Sequence, residues 1–156
     1  MRGRTPRPWV GATVAGLLLL GSTAAGVQAG KAVLIELQID FDSGLETFTT
    51  DSPLLCPEGE ATSDFHFGAG NFGAAGTFHL NKLLVCDDGS GSFVIRVDAA
   101  ANFVVGAGTT GGWSVVPGSG TGDYVGLVGG GHVVGVNQTG GGPVDLIDYY
   151  SGRVGF

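Results

Sequence analysis

Hydrophobic and polar residues alternate with a period of two along most of the chain after residue 30. In the segment AVLIELQIDFD, residues 32–42, apolar side chains occupy every second position. The apolar set is Val33, Ile35, Leu37, Ile39 and Phe41, and the polar set is Glu36, Gln38, Asp40 and Asp42. Such alternation is typical of a β-strand with one buried face and one face in water. Because no later segment shows the 3.6-residue period of an amphipathic helix, the sequence predicts an all-β protein.

A second long alternation occupies residues 92–105, SFVIRVDAAANFVV. It exceeds the length of an ordinary strand and suits one that curves through a barrel wall. Glycine, proline and Asp-Gly steps divide the chain into eight such segments. They lie near residues 32–42, 45–51, 61–68, 76–86, 92–105, 111–116, 123–137 and 144–155. Eight strands in one small domain predict a single antiparallel β-barrel, with a β-sandwich as the alternative.

The apolar pattern shifts phase once, within the fourth predicted strand. The first phase holds Phe78 and Leu80, and the second holds Leu83 and Val85. Asn81 and Lys82 lie between the two pairs. We therefore predict a β-bulge at this point, because one extra residue reverses the side to which later side chains point.

The first 29 residues have the features of a signal peptide. Three arginines precede an apolar run from Trp9 to Leu20, and Val27-Gln28-Ala29 supplies the small-x-small pattern that signal peptidase recognises. The run is shorter than a membrane span. We predict cleavage after Ala29, export from the cytoplasm, and one β-barrel domain at residues 30–156 with no remaining membrane anchor.

Charge and spacing argue against several classes of partner. Residues 30–156 hold four basic and fourteen acidic side chains, a formal charge of −10, which disfavours nucleic acid. Two Gly-x-Gly-x-x-Gly matches, residues 68–73 and 106–111, open no helix, so we predict no nucleotide cofactor. We also predict no metal, since Asp40–Gly44 lacks the ligand series of a calcium loop. The histidines, which are His66, His79 and His132, lie far apart in the sequence.

The chain has two cysteines, Cys56 and Cys86. An even count in an exported protein predicts one disulfide. A zinc site would need more ligands at closer spacing.

Few polar residues are candidates for chemistry. Arg96 and Asp98 share a strand face, but the apolar residues between them are expected to occupy the interior, so we predict both outside. Glu36, Tyr149 and Tyr150 would orient a ligand or move a proton only if their side chains face inward. The sequence therefore assigns no catalytic residue.

The segment GTGDYVGLVGGGHVVG, residues 120–135, is rich in glycine yet contains strand-forming residues. We predict a turn at Gly120 and Gly122, followed by a strand in which Tyr124 and Gly126 share one side. Missing side chains let a barrel strand coil or let an aromatic ring pack over the backbone. Trp113 or Tyr149 is the predicted source of that ring.

Several glycine and aromatic motifs occur in a fixed order. They are Leu55–Gly59, Cys86–Phe93, Gly112–Val116, Gly120–Leu127, Gly129–Gly131 and Tyr150–Val154. Over residues 54–155 this order resembles small exported bacterial proteins with an allene oxide cyclase barrel-like domain, and the related dirigent proteins have a similar Gly-Thr-Gly-x-aromatic turn. The resemblance implies an eight-stranded barrel whose cavity holds an apolar precursor. It places no catalytic residue on this chain.

Three functional hypotheses follow. The first is an exported, non-enzymatic barrel that binds a small apolar ligand or acts at the cell surface. The second is an isomerase or cyclase, which requires a polar cluster inside an open cavity. The third is a structural or protein-interaction module of the envelope, which requires a filled interior. The oligomeric state is left open.

Overall fold

The computed structural model describes residues 30–71, 75–102, 108–138 and 145–156. The predicted signal peptide lies outside these residues. So do residues 72–74 and 103–107, which contain parts of the two Gly-x-Gly-x-x-Gly matches.

The described residues form a closed antiparallel barrel of eight strands in sequence order. The strands are β1 Lys31–Ile39, β2 Glu46–Thr50, β3 Glu58–Asn71, β4 Ala75–Cys86, β5 Ser92–Asn102, β6 Thr109–Val115, β7 Val128–Asn137 and β8 Leu146–Gly155. Each strand pairs with the next, and β8 pairs with β1, so the sheet has no free edge. The predicted barrel is confirmed, and the β-sandwich alternative is wrong.

The alternation in β1 and β5 determines which side chains enter the barrel. Four residues of β1 are buried, namely Val33, Ile35, Leu37 and Ile39. Phe41, expected in the same set, lies beyond the end of β1 and is exposed. Burying a large aliphatic or aromatic side chain contributes about 1.5–3 kcal/mol. Phe93, Ile95 and Val97 of β5 pack with the β1 set in one core.

The end of the barrel where β1 begins is filled. Between β6 and β7, a 3₁₀ turn at Gly122–Tyr124 places the Tyr124 ring against Phe93, with centroids 5.2 Å apart. The Tyr124 hydroxyl forms a hydrogen bond of 2.8 Å with Ser90 Oγ. Tyr124 and Leu127 are both buried, so this connection acts as a plug.

This arrangement corrects the prediction for the glycine-rich segment. Tyr124 belongs to the 3₁₀ turn, Gly126 lies in the following turn with φ of +88°, and β7 begins only at Val128. A positive φ favours glycine because a Cβ would clash with the backbone. Tyr124 and Gly126 therefore share no strand face.

Trp113, one of the two predicted sources of an aromatic ring, extends over Gly131. Trp113 of β6 pairs with Gly131 of β7, which pairs with Gly152 of β8. The Trp113 indole N–H donates a hydrogen bond of 3.2 Å to the Ser151 carbonyl on β8. The ring thus reaches across β7 at Gly131, where no side chain blocks it.

The predicted bulge in β4 is wrong. Pairing of β4 with β5 runs without interruption from Ala75 to Val85. Every second residue of β4 from Phe78 to Cys86 points inward, including Lys82, while Leu83 and Val85 are exposed. A register shift occurs instead in β3, between Phe67 and Ala69.

A disulfide joins Cys56 to Cys86, with Cα atoms 5.9 Å apart, which confirms the predicted bridge. It ties the β2–β3 connection to the end of β4. Such a bond fits an extracytoplasmic protein, since reducing compartments keep thiols free. Within the described ranges, no helix has the length and apolar character needed to cross a membrane.

Candidate functional site

A cavity of about 200 Å³ lies inside the barrel, at the end where β1 ends and β8 begins. Its wall is mostly apolar and comprises Ile39, Phe78, Leu80, Val97, Ala99, Ala101 and Leu146. Its polar lining comprises Glu46, Ser63, Lys82, Thr109, Asp148 and Tyr150, with Asp40, Phe41 and Gly44 at the β1–β2 turn. The space corresponds to about seven water molecules, or a ligand of about ten non-hydrogen atoms.

Lys82 is the most unusual member of this lining, because only 2 % of its surface is exposed. It occupies an inward position of β4 between Leu80 and Leu84. Its ammonium group donates hydrogen bonds of 2.7 Å to Glu46 Oε2 and 2.7 Å to Ser63 Oγ. A buried charge is tolerated only when it is paired and hydrogen-bonded in this way.

Glu46 completes a closed triangle with these two residues. Ser63 Oγ donates a hydrogen bond of 2.8 Å to the same oxygen, Oε2, that pairs with Lys82. The Glu46 side chain remains 14 % exposed and lines the cavity. Glu46 therefore presents a hydrogen-bond acceptor to whatever occupies the cavity.

Asp148 is a second carboxyl in the same cavity, held by different neighbours. It points inward from β8 and is 4 % exposed. The Tyr150 hydroxyl donates a hydrogen bond of 3.1 Å to Oδ2. Oδ1 is buried and, among the described residues, has no hydrogen-bond partner. The Thr109 side chain lies beside this carboxyl.

Burial raises the pKa of Asp148 above its usual value near 3.8, because the charged form loses its water. The Lys82 charge and the Tyr150 hydrogen bond oppose this rise, and the Glu46 charge adds to it. Asp148 therefore keeps its proton to a higher pH than an exposed aspartic acid does, and in the protonated form its carboxyl can donate a hydrogen bond as well as accept one.

Tyr150 is fully buried, and its pKa is raised well above 10, first by burial and then by the charge of Asp148. It therefore stays a neutral hydrogen-bond donor. The Trp113 ring packs edge-on against it, with centroids 6.4 Å apart and planes at 85°. These contacts hold the hydroxyl toward Asp148.

Gly135 makes room for the Asp148 carboxyl. The two residues are paired across β7 and β8. A Cβ on Gly135 would collide with Asp148 Oδ1 and would lie 2.9 Å from the Thr109 Cβ. The absence of a side chain here is a steric requirement of the site.

Of the residues that the sequence nominated for chemistry, only Tyr150 faces the cavity. Tyr149 and Glu36 lie opposite each other on β8 and β1, on the outer face. Arg96 and Asp98 are also outside, where their side chains are 56 % and 48 % exposed. Sequence reasoning missed Glu46, Ser63, Lys82, Thr109 and Asp148.

An outer polar row surrounds the exposed pair. Arg96 donates hydrogen bonds of 3.0 and 3.1 Å to Asp98, and His79 Nδ1 bonds to the same carboxylate. The Arg96 and His79 hydrogen bonds hold the pKa of Asp98 below its usual value. His66 and His132 are exposed as well. Across the described residues, no three His, Cys, Asp or Glu side chains are grouped as a metal site requires.

Comparison with protein-family models finds no matching family, and comparisons with curated proteins and with solved structures find no match either.

Proposed function

We propose that this protein is an exported β-barrel that binds a small, mainly apolar molecule in its interior cavity. The observation that carries the proposal is the unfilled space of about 200 Å³ beside a buried polar cluster. Protein interiors normally pack to crystal-like density, and a void of this size forfeits dispersion contacts. A mostly apolar pocket with a few convergent polar groups is the usual form of a small-molecule site.

Two further observations support this function. The cavity wall contains small side chains, Ala99 and Ala101, where larger aliphatic residues would fill the space. The polar groups are confined to one cluster, so a ligand with one polar group and an apolar body matches the lining. Export is supported by the disulfide and by the features of residues 1–29.

The open space disfavours a purely structural role, which predicted a filled interior. It does not disfavour an isomerase or cyclase, since that hypothesis required a polar cluster inside a cavity. Binding and catalysis thus share one site.

The test uses purified, disulfide-intact protein and two probes, α-tetralone and its hydrocarbon analogue tetralin. We expect a Kd between about 10 µM and about 1 mM for α-tetralone, given its size. Ala99→Leu adds three carbon atoms inside the cavity and should abolish binding. Ala100→Leu is the matched control, because Ala100 is the next residue of β5 and points outward.

Binding is measured by titration calorimetry and native mass spectrometry. Equal affinity in wild type and Ala99→Leu would place the ligand elsewhere and refute the cavity as the site. Absence of binding to wild type by both probes would count against the proposed function itself.

A further inference from the structure

Two carboxyl groups line the same cavity in opposite chemical settings. Glu46 accepts hydrogen bonds from a buried ammonium group and from Ser63. Within the described part of the chain, Asp148 forms no ion pair, and the neutral Tyr150 hydroxyl donates a hydrogen bond to it. The first carboxyl is hydrogen-bonded to a cation, whereas burial raises the pKa of the second and so disfavours its charged form. Paired carboxyls whose environments differ in this way are typical of acid–base catalysis.

We propose that Glu46 and Asp148 act as base and acid on a carbonyl compound bound in the cavity, and catalyse proton transfer at the carbon next to the carbonyl. This inference rests on the proposed binding function and adds an activity to it. The substrate class is a neutral, mainly apolar ketone or aldehyde with a C–H bond beside the carbonyl group.

The proton transfer balances without another reactant. Asp148 donates its carboxyl proton to the carbonyl oxygen, while the Glu46 carboxylate removes a proton from the adjacent carbon. The C–H electron pair becomes a carbon–carbon double bond, and the carbonyl π pair becomes the O–H bond of an enol. Reversal restores both carboxyl groups. If Glu46 returns its proton to a different carbon of an unsaturated substrate, the double bond moves.

Two neighbours act as positioning residues. Lys82 holds the Glu46 carboxyl through Oε2 and fixes its orientation. Tyr150 holds Asp148 through Oδ2 and remains a neutral donor. The apolar wall limits water near the reacting atoms, which strengthens the electrostatic interactions among them.

The experiment measures hydrogen–deuterium exchange at the carbon beside the carbonyl of α-tetralone in deuterated buffer. General acid–base groups typically contribute about 100-fold to 10,000-fold in rate. We therefore expect Glu46→Gln and Asp148→Asn each to slow the exchange by about 100-fold or more, because neither amide transfers a proton. Both amides are close in size to the native carboxyl groups, so α-tetralone should still bind.

Glu36→Gln and Asp98→Asn are the matched controls, since they make the same chemical changes on the outer face. They should exchange at the wild-type rate. A second assay follows conversion of cyclohex-3-enone to cyclohex-2-enone by ultraviolet absorbance and should give the same ranking of variants.

The outcomes separate the two proposals. Bound α-tetralone that exchanges no faster than in buffer overturns the acid–base pair and leaves the binding function standing. Exchange that survives both inner substitutions overturns the pair as well. Lack of binding to wild type overturns the proposed function and the pair together. If Glu46→Gln fails to fold, Asp148→Asn alone decides the matter.

Discussion

Replacing Lys82 by methionine tests how strongly the stability of the barrel depends on the buried ion pair between Lys82 and Glu46. Methionine keeps an unbranched side chain, one atom shorter, but leaves the Glu46 carboxylate without its cation. Removing one partner of a buried pair costs about 3–5 kcal/mol, because the remaining charge is uncompensated. With a urea m-value of about 2 kcal/mol/M, the unfolding midpoint should fall by about 1.5–2.5 M.

The double variant Lys82→Met/Glu46→Leu should recover most of this loss. Apolar replacements of a buried pair are often neutral or stabilising, because no charge has to be removed from water. The Ser63 hydroxyl would lose both partners, so we expect a residual cost of about 1 kcal/mol. The measurement is a double-mutant cycle by urea denaturation with the disulfide intact.

Arg96→Met provides the external comparison. Arg96 and Asp98 form an ion pair on the outer face, where water screens the charges, so the midpoint should hardly move. A midpoint shift for Lys82→Met as small as that for Arg96→Met would mean that Lys82 is in contact with solvent. That result would refute the buried cluster of Lys82, Glu46 and Ser63.

Three further predictions concern the framework of the barrel. Replacing Cys56 and Cys86 by serine should lower the free energy of unfolding by about 3–4 kcal/mol in urea denaturation, since the bridge closes a loop of about thirty residues. The wild-type free energy of unfolding should fall as the pH rises from near 3.8 through the raised folded-state pKa of Asp148, because the folded state holds that proton more tightly. Urea midpoints of Asp148→Asn, measured against pH, should not show this decline. Gly131→Ala should destabilise the fold by about 1–3 kcal/mol, because the new Cβ would collide with a backbone carbonyl of β8. Gly112→Ala should not, since its Cβ would have its nearest contact at 3.6 Å, and equal thermal midpoints for the two variants would contradict this.

The barrel could be predicted because local pattern and global fold agree. β1 alternates without interruption, so Ile35 and Leu37 are assigned inside by period alone. The disulfide followed from the presence of only two cysteines. The strand ends could not be assigned from residue type alone. Tyrosine is common in strands, but Tyr124 lies in a 3₁₀ turn, where its ring packs against Phe93.

The site could not be predicted because its charged members occupy positions that the pattern reserves for apolar residues. Lys82 shares the inner phase with Leu80 and Leu84, and from the sequence alone a lysine at this position favours a change of phase. Its partner Glu46 lies 36 residues away and is brought close only by barrel closure. No local spacing rule connects them.

One signal in the sequence does identify the inner phase of β4. Cysteine is among the residues most often buried, as Cys86 is here, and counting back in steps of two from Cys86 passes through Leu84, Lys82 and Leu80. On β8, a step of two residues from the apolar residue Leu146 reaches Asp148, so the two share one face. Read this way, charged residues inside an apolar phase become candidates for function rather than evidence of a bulge.

Gly135 connects this reading to the abundance of glycine in β7. A barrel of eight strands has little interior space, and a carboxyl group on β8 fits only if the residue beside it on β7 has no side chain. Glycine within a strand weakens the fold, and a buried carboxyl oxygen without a hydrogen-bond partner weakens it further. A barrel that served only as a scaffold would need neither a buried carboxyl at Asp148 nor the space beside it at Gly135. The pair therefore supports the proposed role of the Asp148 carboxyl inside the cavity.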